Sequence, residues 1–457
     1  MADILPFMGT RFNSQLIGNL SKVLSPPYDV ISPEQQEDLY ERHPNNVVRL
    51  ELAKDDTADD NFSNRYTRAA NAFRTWRSDG ILIEDEVPAL YLYEQEFKLP
   101  GGETRRRRGF FSLVKLEDYK TGGIKAHEHT FAHHKNDRLQ LMRSTHANLS
   151  PIFVIYNDPK NDATKLIAEK MKEKPWEEAT DDDGVIHRLW VVQKKEFVTK
   201  MRELLKEREL FIADGHHRYE TALMFRDEMR EEYGKKDEKQ PYDYMMMYLT
   251  NAEQDGLVIL PTHRALSRQF VQGVDLKAVL EEIREAFDVT EDKVDIDKPG
   301  PAGKKILQNV QKLGEQRTSF AMVLPTGKVY YLKLKKKADP TEFIDDDSVP
   351  DEVKALDVSV LHHFIINQIC IGNPEYELED DECWYVRDVS RVFELLKTKK
   401  AGMAFIMNAT PMEQVIDIVS AGIKMPHKST YFHPKIITGL VIRNIDCEMK
   451  KIKAAKR

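Results

Sequence analysis

The chain has 457 residues, with 68 Lys and Arg against 76 Asp and Glu, which gives a formal net charge of −8. Hydrophobic residues make up 41% and charged residues 32%, so the composition is that of a soluble folded protein and excludes a wholly disordered chain. The length predicts two or three domains, and the acidic balance argues against nucleic acid as the main partner.

The sequence also argues against several locations and site classes. Cys370, Cys383 and Cys447 are too few and too scattered for a disulfide framework or a cysteine-based zinc site. The first residues lack the pattern of a secretory signal, and no stretch approaches the roughly 20 apolar residues that span a bilayer. We therefore predict a cytoplasmic protein with no nucleic-acid and no membrane partner.

The first predicted region covers residues 1–104. Ser32-Pro33 has the pattern of a helix N-terminus, and the helix runs through Tyr40. The segment NVVRLEL (46–52) is predicted to be a buried strand, and 59–79 an amphipathic helix. Pro100-Gly101-Gly102 predicts the turn of a long hairpin between strands 89–97 and 105–116.

The second and third predicted regions, 105–270 and 271–457, alternate helices with strands, so the predicted fold class is α/β (α+β). In 105–270 we predict helices at 138–143, 195–206 and 217–230, and strands at 151–156, 187–192, 210–213, 245–250 and 257–260. In 271–457 we predict helices at 275–287, 358–371, 390–397 and 412–420, strands at 319–324, 328–334 and 402–407, a loop at 295–305 and a solvated linker at 335–352.

The sharpest motif is LFIADGHHRYETAL (210–223), in which an apolar strand ends at Asp214-Gly215 and a helix follows. Helix N-termini bind anions because their first N–H groups lack partners within the helix. His216, His217 and Arg218 add donors and positive charge suited to phosphate. Asp214 is suited to hold Mg²⁺ or to accept a proton. The alternative is an ion-paired helix start with surface histidines.

A second cluster lies in KAHEHTFAHHKNDRLQLMRSTH (125–146). It contains His127, His129, His133, His134 and His146, with Glu128 among them. Two or three of these histidines plus a carboxylate would suit zinc, which makes a metal-dependent hydrolase the main alternative function. Histidines on a polar loop are an equally simple interpretation.

Two further segments are candidates for the same pocket. LPTHR (260–264) ends with His263 and Arg264, which we predict to bind substrate; the alternative is a capped exit loop. MPHKSTYFHPK (425–435) follows a helix that ends at Ala421-Gly422. Its His427, Lys428, Ser429 and Thr430 offer donors for a phosphate or a carboxylate. The tetra-arginine run 105–108 is better explained by cross-strand pairing with Glu94 and Glu96 than by nucleic acid.

The strand with ADGHHRYETA resembles the signature of the ParB/sulfiredoxin superfamily, and the HE pair followed by a helix, a PI-strand and DGHHR resembles its free-serine kinases. This resemblance implies catalytic carboxylates at Glu128 and Asp214. It also implies that the run from His216 to Arg218 contacts the nucleotide phosphates. We further predict that His127 and Gly215 bind the nucleotide. The stretches SPPYDVISPEQ, HPNNVVRLEL, LPTHR and MPHKSTYFHPK, with ADGHHRYETAL, resemble a widespread family of uncharacterised proteins over nearly the whole chain.

The resemblance therefore predicts a ParB/sulfiredoxin-like core with additional terminal regions, and a kinase that uses ATP or ADP with Mg²⁺ to phosphorylate a small hydroxyl compound, namely free L-serine. About 50 extra residues separate the PIFVIY strand from LFIADGHHR, so Glu128 and Asp214 must meet across an insertion. A nucleotide-binding regulatory protein without catalysis is the second alternative. The oligomeric state is open, and a homo-oligomer is compatible with the sequence.

Overall fold

The computed structural model describes residues 3–99, 101–119, 122–128, 132–234, 239–376, 378–379, 381–426 and 428–449, with only the backbone described for 132–134. The chain forms two units, the first made of Met1–Val258 and Pro434–Arg457 and the second of Ile259–His433. The predicted boundary at 104/105 falls inside the hairpin described below, and that at 270/271 falls inside the second unit. The division into three regions remains a prediction.

The strands lie along the chain as follows: β1 (Ile4–Leu5), β2 (Gly9–Phe12), β3 (Leu82–Glu84), β4 (Leu90–Lys98), β5 (Thr104–Lys115), β6 (Ile124–Lys125), β7 (Ala147–Asn148), β8 (Ile152–Tyr156), β9 (Glu177–Thr180), β10 (Ile186–Val192), β11 (Leu210–Asp214), β12 (Tyr244–Asn251), β13 (Val258–Ile259), β14 (His263–Ser267), β15 (Phe287–Lys293), β16 (Ser319–Val323), β17 (Lys328–Leu334), β18 (Cys383–Val386), β19 (Ala401–Met407), β20 (Phe432–His433) and β21 (Ile442–Asn444).

The helices are α1 (Ser14–Ile17), α2 (Pro33–Arg42), α3 (Val48–Glu51), α4 (Arg65–Ser78), α5 (Ala132–Thr145), α6 (Asp162–Lys170), α7 (Lys195–Leu205), α8 (His216–Tyr233), α9 (Leu276–Ala286), α10 (Pro299–Gly314), α11 (Asp351–Lys354), α12 (Asp357–Ser359), a π-helix at Val360–Ile371, α13 (Val389–Lys397) and α14 (Met412–Ser420). Strands and helices thus confirm the α+β class. Among the described residues, no helix has both the length and the apolar character needed to traverse a membrane.

The first unit is built on a nine-stranded mixed sheet. Its order is β6-β11-β8-β12-β5-β4-β10-β9, and β1 also pairs with β5. The β6/β11 and β8/β12 pairs are parallel. Apolar side chains of the sheet, such as Val154 and Ile212, pack with Leu139 of α5, Met201 of α7 and Phe225 of α8. A four-stranded sheet, β3-β2-β21-β7, completes this unit and includes a strand from the end of the chain.

The β4–β5 hairpin confirms the predicted hairpin and the predicted pairing of its charges. Glu96 lies opposite Arg106 and Glu94 opposite Arg108, and each pair is joined by a 2.7 Å ion pair. Arg107 lies between them in sequence, so its side chain points to the other face, where it is fully buried and donates to Gln95 and to the carbonyl of Pro434.

The second unit is built on a six-stranded antiparallel sheet of order β15-β17-β16-β19-β14-β18. Helices α10 and α13 pack on it through Ile306 and Phe393, which contact the same apolar cluster as Val323 and Ile406 of the sheet. This cluster is the core of the unit.

Two sequence predictions of local structure were wrong. The segment NVVRLEL is not a strand, because the Asn46 side chain accepts a hydrogen bond from the backbone N–H of Val48 and donates to the carbonyls of Lys22 and Leu24. This Asx turn starts α3 instead. The predicted loop at 295–305 is helical from Pro299, where proline suits the first helical turn because its φ is fixed near the helical value.

Candidate functional site

Two parallel strands bring together residues that are far apart in sequence. Strand β6 pairs with β11 in the register Ile124 to Leu210 and Lys125 to Phe211. Both strands therefore end at the same edge of the sheet, so the residues that follow β6 lie beside the end of β11. His127 and Glu128 follow β6, and Asp214 ends β11. The insertion between β8 and β11 consequently does not separate the two predicted carboxylates.

The turn from β11 into α8 has an unusual backbone path. The register of β11 against β8 shifts between Ile212 and Asp214, which marks a β-bulge immediately before the site. Gly215 then caps α8 with φ of +94°, in the left-handed region that favours glycine. A glycine cap has no side chain that could occupy the first N–H groups of the helix. A Cβ atom at this position would lie 3.1 Å from the guanidinium of Arg218.

We expect Gly215→Ala to lower the free energy of unfolding and to displace Arg218. The left-handed conformation costs an alanine about 1–2 kcal/mol, and the contact with Arg218 adds to this cost. Gly372 at the end of the π-helix is the matched control, because its φ of +77° and ψ of +18° are also left-handed and a Cβ there meets nothing within 4 Å. Chemical denaturation should show a larger loss for Gly215→Ala than for Gly372→Ala; equal losses would contradict the contact.

Asp214 is an ionised carboxylate held by two cations. Its oxygens lie 2.6 Å from Nζ of Lys435 and 3.1 Å from the guanidinium of Arg218. Burial alone would raise the pKa of Asp214, but Lys435 and Arg218 outweigh burial and lower it well below its usual value. Asp214 is therefore a weak proton acceptor at neutral pH, and its charge is available to hold cations.

Lys435 is a site residue that the sequence did not identify. Its Nζ also lies 3.8 Å from a carboxylate oxygen of Asp29, which belongs to the short turn Tyr28–Val30. Lys435 follows the MPHKST segment in sequence, so the signal was close, but its contact with Asp214 spans 221 residues of chain. No local pattern predicts such a contact.

His216 contacts Glu128 and His127, and lies two residues after Asp214. Its Nδ1 lies 3.4 Å from Oε2 of Glu128, and its Nε2 accepts a hydrogen bond from the backbone N–H of His127 at 3.4 Å. The rings of His127 and His216 meet edge to face, 4.6 Å apart. Burial, reinforced by His127, lowers the pKa of His216 to about 3, so the ring is neutral and its proton lies on Nδ1, towards Glu128.

A neutral buried His216 makes stability depend on pH. In the unfolded chain the imidazole regains its usual pKa near 6.5, so below that pH the unfolded state binds more protons than the folded state. We expect the free energy of unfolding to fall as the pH drops from 6.5 towards 3, by about 1.4 kcal/mol per pH unit for each such histidine. The free energy of unfolding, measured by denaturation at several pH values below 6.5, should depend less steeply on pH in His216→Gln, by the equivalent of one bound proton. The same pH dependence in this variant and in the wild type would contradict a neutral His216.

Arg218 is buried between Asp214 and the core. Its guanidinium donates to the carbonyl of Pro151 and to Asp214, while its Nε has no hydrogen-bond partner. Behind it is a cavity lined by Glu51, Arg138, Leu141, Met142, Ala147, Asn148, Leu149, Ser150, Arg218, Thr221 and Met245.

Glu51 and Arg138 are the charged pair of this cavity. Their side chains lie 3.5 Å apart, and Ser150 donates a 2.8 Å hydrogen bond to Glu51. Burial raises the pKa of Glu51 although Arg138 opposes the change. Arg138 also lies 4.0 Å above the ring of Tyr28, in the same turn as Asp29. Glu51, Arg138 and Ser150 thus line the same cavity as Arg218.

The remaining predicted residues are placed as follows. His217 is half-buried in the first turn of α8. His263, Arg264, Lys428, Ser429 and Thr430 belong to the second unit, where Arg264 donates to the carbonyl of Lys428 at 3.3 Å. Their roles remain predictions.

The predicted zinc ligands are only partly described. His129 and His427 lie outside the described residues, as do the side chains of His133 and His134. His146 pairs with Asp446 at 2.7 Å. Within the described part of the chain, no group of three or more His, Cys, Asp or Glu residues is arranged to hold a metal ion.

Comparisons with known proteins give the following. A solved structure of a mutant free serine kinase in complex with AMP is 15% identical and covers 72% of this chain and 92% of its own, with a TM-score of 0.33. A conserved hypothetical protein from Pyrococcus furiosus is 14% identical, with coverages of 74% and 96% and a TM-score of 0.32. SbnI with a C-terminal truncation from Staphylococcus aureus is 10% identical, with coverages of 76% and 94% and a TM-score of 0.34.

A comparison with curated proteins finds no match. One protein family does match, and its match covers residues 4–359, which is more than half of the chain. The chain therefore belongs to the family described as "Protein of unknown function (DUF1015)".

Proposed function

We propose that this protein is a kinase that transfers a phosphoryl group from ATP or ADP to the hydroxyl of a small molecule, free L-serine. Two contacts at a glycine-capped helix N-terminus carry the proposal: Glu128 contacts His216 at the start of the helix, and Asp214, two residues earlier, pairs with Lys435 and Arg218. Phosphoryl transfer requires positioning and charge stabilisation above all, and this group of residues is suited to both. The sequence resemblance to the free-serine kinases of the ParB/sulfiredoxin superfamily supplies the acceptor.

In this proposal the nucleotide phosphates lie at the start of α8. The N–H groups of the first turn and the positive end of the helix dipole favour an anion there. Arg218 and Lys435 supply fixed positive charge, whereas the neutral His216 contributes hydrogen bonding rather than charge. We therefore assign the neutralisation of the negative charge on the transferring phosphoryl group to Arg218 and Lys435. The sequence had assigned it to His216, His217 and Arg218 together.

Asp214 fits a role in holding Mg²⁺. It is ionised and carries cations on both of its sides, and Mg²⁺ in nucleotide sites is typically bound by one or two carboxylates together with phosphate oxygens. Lys435 lies between Asp214 and Asp29, so a cation is already favoured at this point. When bound, Mg²⁺ would neutralise charge on the phosphates.

Glu128 is the better candidate for the base. The low pKa of Asp214 and its two cationic partners make it a poor proton acceptor, so we assign to Glu128 the removal of the hydroxyl proton. The proton of His216 on Nδ1 faces Glu128 and orients its carboxylate. This assignment separates two roles that the sequence left shared between the carboxylates.

The test is a product assay. The purified protein is incubated with ATP or ADP, Mg²⁺ and a panel containing L-serine, D-serine, L-threonine, L-homoserine and glycerol, and new phosphorylated products are detected by mass spectrometry. O-phosphoserine formed at the expense of nucleotide is the expected result. Nucleotide that binds without being consumed by any acceptor would contradict the proposal in favour of a regulatory nucleotide-binding protein. Stoichiometric zinc lost in His127→Ala would contradict it in favour of a hydrolase.

A further inference from the structure

The second unit contains a buried guanidinium that has no acidic partner among its described contacts. Arg264 is 1% exposed and lies in β14, between β18 and β19. Its guanidinium donates to the carbonyl of Thr262 and, at 3.3 Å, to that of Lys428, and it lies 4.8 Å from the centre of the Tyr385 ring. Its Nε has no hydrogen-bond partner.

This arrangement is costly without an anion. A buried charge is normally paired, because neutral carbonyls and an aromatic ring compensate for lost hydration less well than a carboxylate does. Burial lowers the pKa of Arg264, and the groups that oppose this change are the thiol of Cys383 and the phenol of Tyr385. The opposite situation holds in the first unit, where Arg218 pairs with Asp214.

The loop next to Arg264 carries a lysine and is held by hydrogen bonds. Lys428 adopts φ of +56°, and its carbonyl lies against Arg264. Thr410 holds this loop in place by donating a 3.1 Å hydrogen bond to the carbonyl of Ser429. Thr410 lies just before α14, so the positive end of that helix is close to the same loop. The Ser429 hydroxyl donates to the carbonyl of Pro426, so the charged donors offered to an oxyanion here are the ammonium group of Lys428 and the guanidinium of Arg264.

We propose that Arg264 and the loop formed by Lys428, Ser429 and Thr430 make an oxyanion-binding site of the second unit, which takes the phosphate or carboxylate group of a small molecule. Arg264 supplies a buried positive charge and its Nε–H, and Lys428 supplies charge at the exposed rim. This site requires no contribution from Asp214 or Glu128, so it stands independently of the proposed kinase activity.

The test is hydrogen–deuterium exchange of the full chain, followed in peptides that cover 259–268 and 424–432. Inorganic phosphate, ADP and succinate are added separately at matched ionic strength. A ligand at ten times its Kd should slow exchange in these peptides by about ten-fold. Amide protons exchange from locally unfolded states, and a ligand that binds only the folded site lowers the population of those states in proportion to its concentration over Kd. Arg264→Met should abolish the effect, whereas Arg268→Met, an exposed arginine just after the same strand, should keep it. Asp214→Asn should also keep it.

Each outcome decides the proposal. Slowing by phosphate or ADP supports it with a phosphate ligand, and slowing by succinate alone supports it with a carboxylate ligand. No slowing with any of the three, or equal slowing in Arg264→Met, overturns it. Since Arg264→Met removes a buried side chain, Lys428→Ala is the second variant; it should weaken binding about five-fold, while Lys400→Ala leaves it unchanged. Unchanged binding in Lys428→Ala would remove the loop from the site.

Discussion

Glu128→Gln is expected to lower kcat for phosphoryl transfer by about 10²–10⁴-fold, the range for loss of a general base, and to leave nucleotide affinity near that of the wild type. Glutamine has the size of glutamate and still accepts a hydrogen bond from Nδ1 of His216, but it does not take up the hydroxyl proton. Steady-state kinetics with saturating nucleotide measure kcat, and titration calorimetry measures nucleotide binding.

The matched control for this variant is Glu228→Gln. Glu228 lies on α8, further from the site along the helix, and pairs with Arg143 at the surface. This control should retain activity and stability. If kcat of Glu128→Gln stays within a factor of a few of the wild type, the proton acceptor is another group, and the assignment of Glu128 is wrong.

Asp214→Asn is expected to lower kcat by about 10²–10³-fold and to raise the Mg²⁺ concentration needed for half-maximal activity. The substitution removes the charge that pairs with Lys435 and Arg218; Lys435 keeps its longer contact with Asp29, whereas Arg218 loses the ion pair with Asp214. Because a buried charge that loses its partner also destabilises the fold, thermal unfolding must be measured beside activity. The assay is then run well below the lower of the two melting temperatures.

Asp227→Asn is the control for this loss. Asp227 lies on α8, and its carboxylate, which is 58% exposed, pairs with Arg226 and Arg230. Asp227→Asn tests whether the loss of an aspartate charge anywhere near α8 is enough to lower kcat. Activity of Asp214→Asn close to that of Asp227→Asn would exclude a role of Asp214 in the reaction.

Local patterns predicted the parts of the site that are continuous in sequence. The apolar run 210–213, the glycine that follows it and the helix after that are all confirmed, since a strand end, a left-handed glycine and a helix start are each encoded by neighbouring residues. The β4–β5 hairpin was predictable for the same reason. The prediction of a strand for the NVVRLEL segment was wrong. The spacing of its apolar residues suits a strand, but the side chain of Asn46 accepts a hydrogen bond from the N–H of Val48 and so starts a turn of helix.

The parts that were not predictable depend on pairing between distant segments. Strand β6 has only two residues, too few for any periodicity, yet its parallel pairing with β11 is what places Glu128 beside His216. Lys435 and Asp29 likewise approach Asp214 only after the sheet has formed. Sequence reasoning therefore identified which residue types the chemistry needs, while the electrostatic partners that set the pKa of Asp214 came from the fold.

The first unit is interrupted, since residues 259–433 form a separate unit before the chain returns with Lys435 and β21. During synthesis, domains generally fold from the N-terminus as they leave the ribosome. Here a nascent chain that has emerged up to residue 258 still lacks Lys435, whose ammonium group pairs with Asp214. It also lacks β21, which lies between β2 and β7 in the four-stranded sheet. A chain terminated within the second unit would therefore keep the pair of Arg218 and Asp214 but lack both Lys435 and β21, so we expect the buried carboxylate of Asp214 to be less well compensated than in the full chain.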